Sequence, residues 1–177
     1  MEKLKNKRLW VLCGVPGSGK STWIRKHKDY FNEHQAIISR DDVRFSIIQP
    51  GDTYFAKEKE VFNEFIRLIK ESLEQNIDTI VDATHISENS RSKLLRNLGK
   101  SLEGVEVNAI VIKVSLNIAI ERNATREGLK YVPEPAIMNM YSQFTIPSFE
   151  EGFDNIWIKE EGKGFKVKTG QFYDTVS

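Results

Sequence analysis

The chain has 177 residues, of which 40% are hydrophobic and 29% are charged, and this predicts one soluble domain with a sizeable buried core. Its formal net charge of +1 excludes an overall basic field that would attract a polyanion. Any binding of nucleic acid therefore requires a local basic patch.

Cysteine content and hydropathy restrict the class of protein further. Cys13 is the only cysteine, which excludes an internal disulfide and a cysteine-built zinc site. Residues 1–10 include basic side chains but lack the apolar stretch of a secretory signal. No apolar run approaches the length of a membrane-spanning helix. From these features we expect a cytoplasmic protein with no membrane partner.

Short apolar runs recur along the chain and predict five strands. These runs are 9–13 (LWVLC), 35–39 (QAIIS), 78–82 (DTIVD), 108–114 (NAIVIKV) and 155–160 (NIWIKE). The longer segments between them predict helices, and strands that alternate with helices indicate a parallel sheet covered on both faces. We expect a single domain over 1–177 with its core at about 8–158. Residues 159–177 then form an edge strand or a tail.

Two of the intervening segments have clear helical features. Between Thr53 and Gln75, the large apolar residues lie close to one helical stripe. These residues are Phe55, Phe62, Phe65, Ile66, Ile69 and Leu73. In the next helix, ENSRSKLLRNLG, Ser87 is the candidate N-terminal cap and Gly99 the candidate end.

The segment GVPGSGKSTW directly follows the first predicted strand. Gly14, Gly19, Lys20 and Ser21 satisfy the pattern G-x-x-x-x-G-K-[ST]. The glycines let consecutive backbone N–H groups turn inward around an anion, and the following helix adds a favourable dipole. Lys20 is expected to contact the β- and γ-phosphates and Ser21 to bind Mg²⁺, while Thr22 adds a candidate phosphate contact. The segment therefore predicts binding of a nucleoside triphosphate.

The segment SRDDVR (39–44) follows the second predicted strand, at the sheet edge where α/β proteins bind ligands. Asp41 and Arg44 are three residues apart and share a helix face. A carboxylate there can accept the proton of an attacking hydroxyl, and an arginine can fix an anionic part of the acceptor. Alternatively, Ser39 and Asp42 form an S-x-x-D helix cap, which leaves Asp41 and Arg44 free. The spacing alone leaves both interpretations open.

Two later clusters add charged candidates. Asp82 ends the third predicted strand, where a P-loop enzyme keeps an acid near Mg²⁺ or the acceptor, although it can instead pair with Arg44. Arg122 and Arg126 are four apart on one predicted helix face, where like charges repel each other. A facing triphosphate would make them an arginine clamp on a lid. Alternatively, the two arginines belong to a solvated basic face on which neighbouring glutamates reduce their mutual repulsion.

The G-x-x-x-x-G-K-[ST] segment is a P-loop, and the other motifs in the sequence indicate which class of P-loop protein this is. A GTPase would normally contain D-x-x-G and N-K-x-D segments, and no aspartate here has a glycine three residues later. The P-loop fold itself serves switches, motors and kinases alike, so the remaining polar clusters decide the reaction.

Taken in order, these clusters resemble the 5′-hydroxyl polynucleotide kinase family. Its members share a P-loop of the form G.PGSGKST, an RDD..R or RD segment, a strand ending in D.T, and a paired-arginine lid. The matching segments here are 14–22, 40–44, 82–84 and 122–126. Residues 132–157 are also similar to the kinase domain of the animal members. The likeness spans roughly 8–158.

This resemblance implies an α/β P-loop kinase of the adenylate-kinase-like type. The sheet is then five-stranded and parallel, with helices on both faces and a small arginine-bearing lid. The implied cofactors are ATP and Mg²⁺, and the implied partner is the 5′ end of a DNA or RNA strand. The loop residues assigned to ATP are Gly14, Gly17, Ser18, Gly19, Lys20, Ser21 and Thr22, with Ser21 also the metal ligand.

On the acceptor side, the resemblance makes Asp41 the general base, directs Arg44 to the acceptor's phosphate and makes Asp82 support Arg44. Arg122 and Arg126 would clamp the donor phosphates and take part in catalysis with Lys20. The full set of candidates for binding the acceptor is Arg40, Asp41, Arg44, Asp82, Thr84 and Arg91.

Two features bear on the choice of acceptor. The sequence contains neither a D-x-D-G-T phosphatase motif nor a K-x-D-G ligase motif, so we expect a kinase alone. A groove for a nucleic-acid strand could be built from Arg44, Arg91, Lys93 and Arg96, although basic residues at such positions commonly stay solvated.

Two alternatives remain open. One is a P-loop kinase for a nucleoside, a small metabolite or the aminoacyl group on a tRNA, none of which needs a groove for a strand. The other is a nucleotide-dependent binding module without transfer activity. Asp41 argues against the binding module, because a switch needs no base at that position.

Overall fold

The computed structural model describes residues 7–75, 78–169 and 173–174, and strands in these ranges form one sheet. The strands are β1 (Lys7–Cys13), β2 (Gln35–Ser39), β3 (Asp78–Asp82), β4 (Val105–Lys113), β5 (Asn155–Glu160), β6 (Phe165–Thr169) and β7 (Tyr173–Asp174). Their order in the sheet is β2-β3-β1-β4-β5-β6-β7. The four pairings that join β2, β3, β1, β4 and β5 are all parallel.

The predicted parallel sheet is confirmed, but the predicted total of five strands is wrong. Strand β6 pairs antiparallel with β5, and β7 pairs antiparallel with β6, so the described sheet has 7 strands. The segment that was expected to be an edge strand or a tail therefore supplies strands. Of that segment, residues 170–172 and 175–177 lie outside the described residues.

Along the chain, helices connect the successive parallel strands, as the predicted alternation of strands and helices requires. They are α1 (Lys20–Lys26), α2 (Arg40–Ile47), α3 (Glu58–Gln75), α4 (Glu88–Leu98), α5 (Leu116–Ala124) and α6 (Glu134–Gln143). Short 3₁₀ turns add Lys28–Tyr30, Gly99–Leu102, Gly128–Lys130 and Phe149–Glu151. None of the helices in the described ranges is long and apolar enough to cross a membrane.

The core lies on both faces of the sheet because alternate residues of each buried strand point to opposite sides. In β1, Leu9, Val11 and Cys13 belong to the cluster that includes α3 and α4. Trp10 and Leu12 belong to the opposite cluster, which includes α1. This arrangement confirms helices on both faces.

Local signals set the ends of the helices. The Ser87 hydroxyl accepts a hydrogen bond from the Ser90 N–H, and Gly99 follows the last residue of α4, as predicted. The Ser39 hydroxyl likewise accepts from the Asp42 N–H at 3.3 Å and caps α2. The prediction for Phe55 is wrong, because α3 begins only at Glu58 and the Phe55 side chain is 65% exposed.

Candidate active site

The loop between β1 and α1 has a backbone that only glycine can adopt at key points. Gly17 and Gly19 have φ angles of 81° and 94°, in the left-handed region. A Cβ atom on Gly17 would lie 2.2 Å from the Ala119 carbonyl oxygen, and one on Gly14 would lie 2.7 Å from the Ser18 hydroxyl. The glycines of the motif therefore permit a tight loop packed directly against α5.

The Lys20 side chain is enclosed by this loop. Its Nζ donates hydrogen bonds to the Gly14 and Val15 carbonyls at 2.8 and 3.1 Å, and the residue is buried. Burial lowers the pKa of Lys20 to about 8, while the Asp82 charge raises it and the Arg126 charge lowers it. A negative charge placed beside a buried lysine favours its protonated, charged form. A bound phosphate would therefore stabilise the Lys20 ammonium, in agreement with the phosphate contact expected of Lys20.

Ser21 and Asp82 lie together at the carboxyl edge of the sheet. The Ser21 hydroxyl donates to Asp82 Oδ2 at 2.7 Å. In the described part of the chain, no group of three or more His, Cys, Asp or Glu side chains is placed to hold a metal by itself. Mg²⁺ usually takes one or two carboxylates and completes its octahedron with waters and substrate phosphates. This pair of oxygens therefore fits Mg²⁺ accompanied by a phosphate ligand.

At the same edge of the sheet, a backbone hydrogen bond connects the residues that follow β1 and β3. The Gly14 N–H donates to the Thr84 carbonyl at 2.9 Å, which fixes the start of the P-loop beside the end of β3. Asp41, at the start of α2, is close enough for its charge to raise the pKa of Lys20. The structure therefore brings Asp41 and Asp82 to the edge that carries Lys20 and Ser21, although the two aspartates lie far from the P-loop in sequence.

Asp41 is held by Tyr54, a residue that the sequence analysis did not single out. The Tyr54 hydroxyl donates to Asp41 Oδ1 at 2.5 Å. Burial raises the pKa of Tyr54 to about 12, and its hydrogen bond to Asp41 acts in the same direction. The phenol therefore stays protonated and remains a donor to the carboxylate at neutral pH.

Arg44 is buried, with 3% of its surface exposed, and its guanidinium has partners within the protein. Its Nη1 donates to the Tyr54 carbonyl at 3.1 Å and to Glu58 Oε2 at 2.5 Å, and the group lies 4.1 Å from the centroid of the Tyr54 ring. Burial opposes the ionisation of Glu58, but hydrogen bonding to Arg44 and the charge of Arg40 hold its pKa below the usual value. Glu58 thus joins Arg40 and Arg44.

These contacts correct the expectation that Asp82 supports Arg44. Asp82 accepts its hydrogen bond from Ser21, whereas Arg44 donates to Glu58 and Tyr54. The physical reason is that the loop after α2 brings Tyr54 and the start of α3 over the Arg44 side chain. Sequence reasoning missed Glu58 because an acid in the first turn of an amphipathic helix is ordinary there.

The arginine clamp also needs correction. Helix α5 ends at Ala124 and Thr125 caps it, so Arg122 and Arg126 do not share a helix face. Arg122 is exposed, and its guanidinium donates to the Ser18 carbonyl at 3.4 Å and to Glu161 at 2.8 Å. Arg126 lies near enough to Lys20 to lower its pKa. Both arginines still lie on the P-loop side.

Arg91 does not belong to an acceptor groove, because its side chain is fully buried. It donates two hydrogen bonds to the Glu151 carboxylate at 2.7 and 2.9 Å and others to Thr145 and to the His85 carbonyl. Helix α4 is thereby joined to the segment before β5. The predicted role of Arg91 in binding the acceptor is therefore wrong in this structure.

Replacing Arg91 with methionine is expected to lower the free energy of unfolding by about 3–5 kcal/mol, because the Glu151 carboxylate is left buried without its partner. Arg96→Met is the matched control, since Arg96 is exposed on the same helix, and it is expected to change stability by at most about 0.5 kcal/mol. Urea denaturation followed by circular dichroism compares the two. Equal stabilities would contradict this interpretation of Arg91.

A glycine-rich loop between a central parallel strand and a helix, with a buried lysine and a serine–aspartate pair, is typical of a P-loop protein. Residues 9–147 match the AAA domain family, and the chain belongs to that family.

Individual relatives differ in their acceptors. The chain is 35% identical over 154 residues to the L-seryl-tRNA(Sec) kinase of Methanococcus maripaludis, covering 82% of this chain and 56% of that protein. It is 26% identical over 158 residues to the bifunctional polynucleotide phosphatase/kinase of Schizosaccharomyces pombe, covering 88% of this chain and 34% of that protein. The chain therefore spans only part of the length of the relatives that it matches.

A solved structure of Kti12 from Chaetomium thermophilum in complex with ADP-AlF3 has a similar fold. The TM-score is 0.64 at 17% identity, with 87% of this chain and 89% of that chain covered. At this identity the similarity supports the fold alone.

Proposed function

We propose that the chain transfers the γ-phosphoryl group of ATP to the 5′-hydroxyl of a DNA or RNA end, and that residues 8–158 carry this kinase core. The observation that carries the proposal is the position of Asp41, in the first turn of α2 directly after the carboxyl end of β2, where the Tyr54 hydroxyl holds its carboxylate. A carboxylate facing a phosphate-binding loop is suited to accept a proton from a hydroxyl that attacks the terminal phosphate.

On the donor side, the P-loop holds the triphosphate. Backbone N–H groups of Gly17 and Gly19 and the hydroxyl of Thr22 bind the phosphates, and Lys20 contacts the oxygens that gain charge during transfer. The Ser18 N–H instead donates to the Val15 carbonyl at 3.1 Å and supports the shape of the loop. Ser21 and Asp82 hold Mg²⁺. When bound, this ion offsets negative charge on the phosphate oxygens.

The two later arginines serve the donor as well. The contact between Arg122 and the Ser18 carbonyl supports this role, because it keeps the guanidinium beside the loop. Arg126 acts on the electrostatics of Lys20 and completes the positive surroundings. In this proposal the segment after α5 is the lid that carries Arg126.

On the acceptor side, Asp41 takes the proton as the hydroxyl oxygen bonds to the γ-phosphorus. The bond between that phosphorus and the bridging oxygen breaks, and ADP leaves with the electron pair. Tyr54 orients the Asp41 carboxylate through its hydrogen bond. Thr84 and Arg40 line the acceptor site from the ends of neighbouring strands.

Arg44 donates to Tyr54 and Glu58 through Nη1, and its Nε has no hydrogen-bond partner among the described residues, so a donor remains for the acceptor's phosphate. Glu58 is an anion between two guanidinium groups, so a phosphate that enters the site would compete for the same donors. The proposal therefore assigns the acceptor's first internucleotide phosphate to Arg40 and Arg44.

The second candidate is a kinase that acts on the aminoacyl group of a tRNA or on a small acceptor. The 35% identity to the L-seryl-tRNA(Sec) kinase favours it specifically. Both candidates use the same loop, base and metal site, so only the acceptor distinguishes them. The polynucleotide phosphatase/kinase of Schizosaccharomyces pombe supports the first candidate.

A panel of acceptors separates the candidates. The purified chain is incubated with γ-labelled ATP, Mg²⁺ and, separately, a 5′-hydroxyl oligonucleotide, a nucleoside 3′-monophosphate, a nucleoside or seryl-tRNA. We expect label in the oligonucleotide and the nucleoside 3′-monophosphate. Label in seryl-tRNA or the nucleoside alone would replace the first candidate by the second. An absence of label in every acceptor would contradict the first candidate and would leave, of the second, only a kinase for a small acceptor outside this panel.

A further inference from the structure

Phe55 lies in the loop between α2 and α3 and exposes 65% of its surface. Exposed apolar side chains that stand alone are common and need no explanation. Phe55 differs because its ring packs edge to face against Tyr54, with centroids 4.8 Å apart and planes at 86°. The exposed ring therefore lies directly beside Tyr54, the residue that holds the proposed general base, Asp41.

Tyr54 is itself fixed at several points. Its hydroxyl binds Asp41, its carbonyl accepts from Arg44, and its ring lies under the Arg44 guanidinium. The Phe45 ring adds a further edge contact at 6.4 Å. Because Tyr54 is anchored in this way, the position of Phe55 relative to Asp41 is defined before any ligand arrives.

The chemistry of this surface narrows the group that it can bind. A phenyl ring offers a flat apolar face with no hydrogen-bond donor or acceptor. It therefore stacks with any planar aromatic group and does not distinguish one nucleobase from another. The Arg44 guanidinium lies 5.5 Å from the centroid of the Phe55 ring and places positive charge close by. A group that combines a flat ring with a nearby phosphate matches both features.

We propose that the exposed ring of Phe55 is a stacking platform for the terminal nucleobase of the acceptor, an inference that rests on the proposed function. The base stacks on Phe55 while the 5′-hydroxyl of the same nucleotide lies at Asp41. This subsite accepts all bases about equally, and it selects nucleotide ends over acceptors that lack a planar ring.

The test compares two oligonucleotides of the same sequence, one with an intact 5′-terminal nucleoside and one whose 5′-terminal residue is abasic but keeps its hydroxyl. In the wild-type chain the ratio of kcat/KM between them is expected to be about 5–150, the range for one stacked base. Phe55→Ala is expected to bring this ratio close to one, and Phe55→Trp to restore it. Tyr30→Ala is the matched control, because Tyr30 is also an exposed aromatic residue at 62% and lies after the C-terminal end of α1.

A binding measurement makes the result independent of transfer. An oligonucleotide with 2-aminopurine at its 5′ end is titrated with each variant, and stacking on Phe55 is expected to quench its fluorescence in the wild type but not in Phe55→Ala. If transfer fails with every acceptor yet this quenching difference remains, the proposed function fails and the stacking platform stands. If the quenching and the ratio are the same in wild type and Phe55→Ala, the inference is overturned, whether or not transfer occurs.

Discussion

Replacing Lys20 with alanine is expected to lower phosphoryl transfer by about 10²–10³, the range for losing one preorganised contact to the transferring group. The expectation follows from the burial of the ammonium within the P-loop, where an arriving phosphate would meet a charge that water does not screen. Steady-state kinetics at saturating ATP measure the effect.

The matched control for this substitution is Lys26→Ala, since Lys26 is exposed at the other end of the same helix. Thermal unfolding of both variants checks that the fold remains intact, because the Gly14 and Val15 carbonyls lose a donor when Lys20 is removed. Near-normal turnover by a folded Lys20→Ala variant would rule out the phosphate-binding interpretation of this loop.

Asp41→Asn is expected to lower transfer by about 10²–10⁴, the usual contribution of a positioned acid or base. The substitution keeps the shape of the side chain and an oxygen that can accept from the Tyr54 hydroxyl, so the local structure should persist. ATP binding should also persist, because the P-loop is unchanged. Rates with a 5′-hydroxyl oligonucleotide and the affinity for a fluorescent ATP analogue measure the two effects separately.

Asp42→Asn provides a close control for the Asp41 variant. Asp42 is the adjacent acid on the same helix turn and is exposed, and it contributes its backbone N–H to the helix cap. Its replacement is expected to leave the rate within about a factor of two, because the Asp42 side chain has no part in the proposed transfer, and to shift stability by at most about 0.5 kcal/mol. An equal loss in both variants would point to a general charge effect and contradict the base assignment.

The sheet could be predicted largely from the sequence because its central strands are continuous apolar runs. Burial on both faces requires such runs, so the strands ending at Cys13 and Asp82 were recognisable without any partner. Strand β6 was harder to predict, since its weak alternation of apolar and polar residues is also compatible with a tail. Its pairing with β5 becomes clear only from the fold.

The donor side of the site was predictable for a related reason. The P-loop is a local motif, and its glycines are needed by the backbone conformation of the loop itself. The placement of Asp82 at a strand end was also predictable, but its partner was not. Ser21 and Asp82 are 61 positions apart, and no periodic pattern connects them.

The acceptor side was less predictable because it depends on contacts between distant segments. An arginine on a helix looks the same in sequence whether it faces solvent or a buried acid, and the acid paired with Arg91 is 60 residues away. Tyr54 and Glu58 belong to a loop and a helix start with no motif of their own. Their role became visible only when the fold placed them over Asp41 and Arg44.

The most direct test of the central claim asks whether the label from ATP enters a single hydroxyl. Two oligonucleotides of the same sequence are compared, one with a free 5′-hydroxyl and one with that hydroxyl methylated, each incubated with the wild-type chain, γ-labelled ATP and Mg²⁺. The account predicts acid-stable label in the first oligonucleotide, removable by phosphatase, and none in the methylated one. Equal label in both, or label in neither, would contradict transfer to the 5′-hydroxyl.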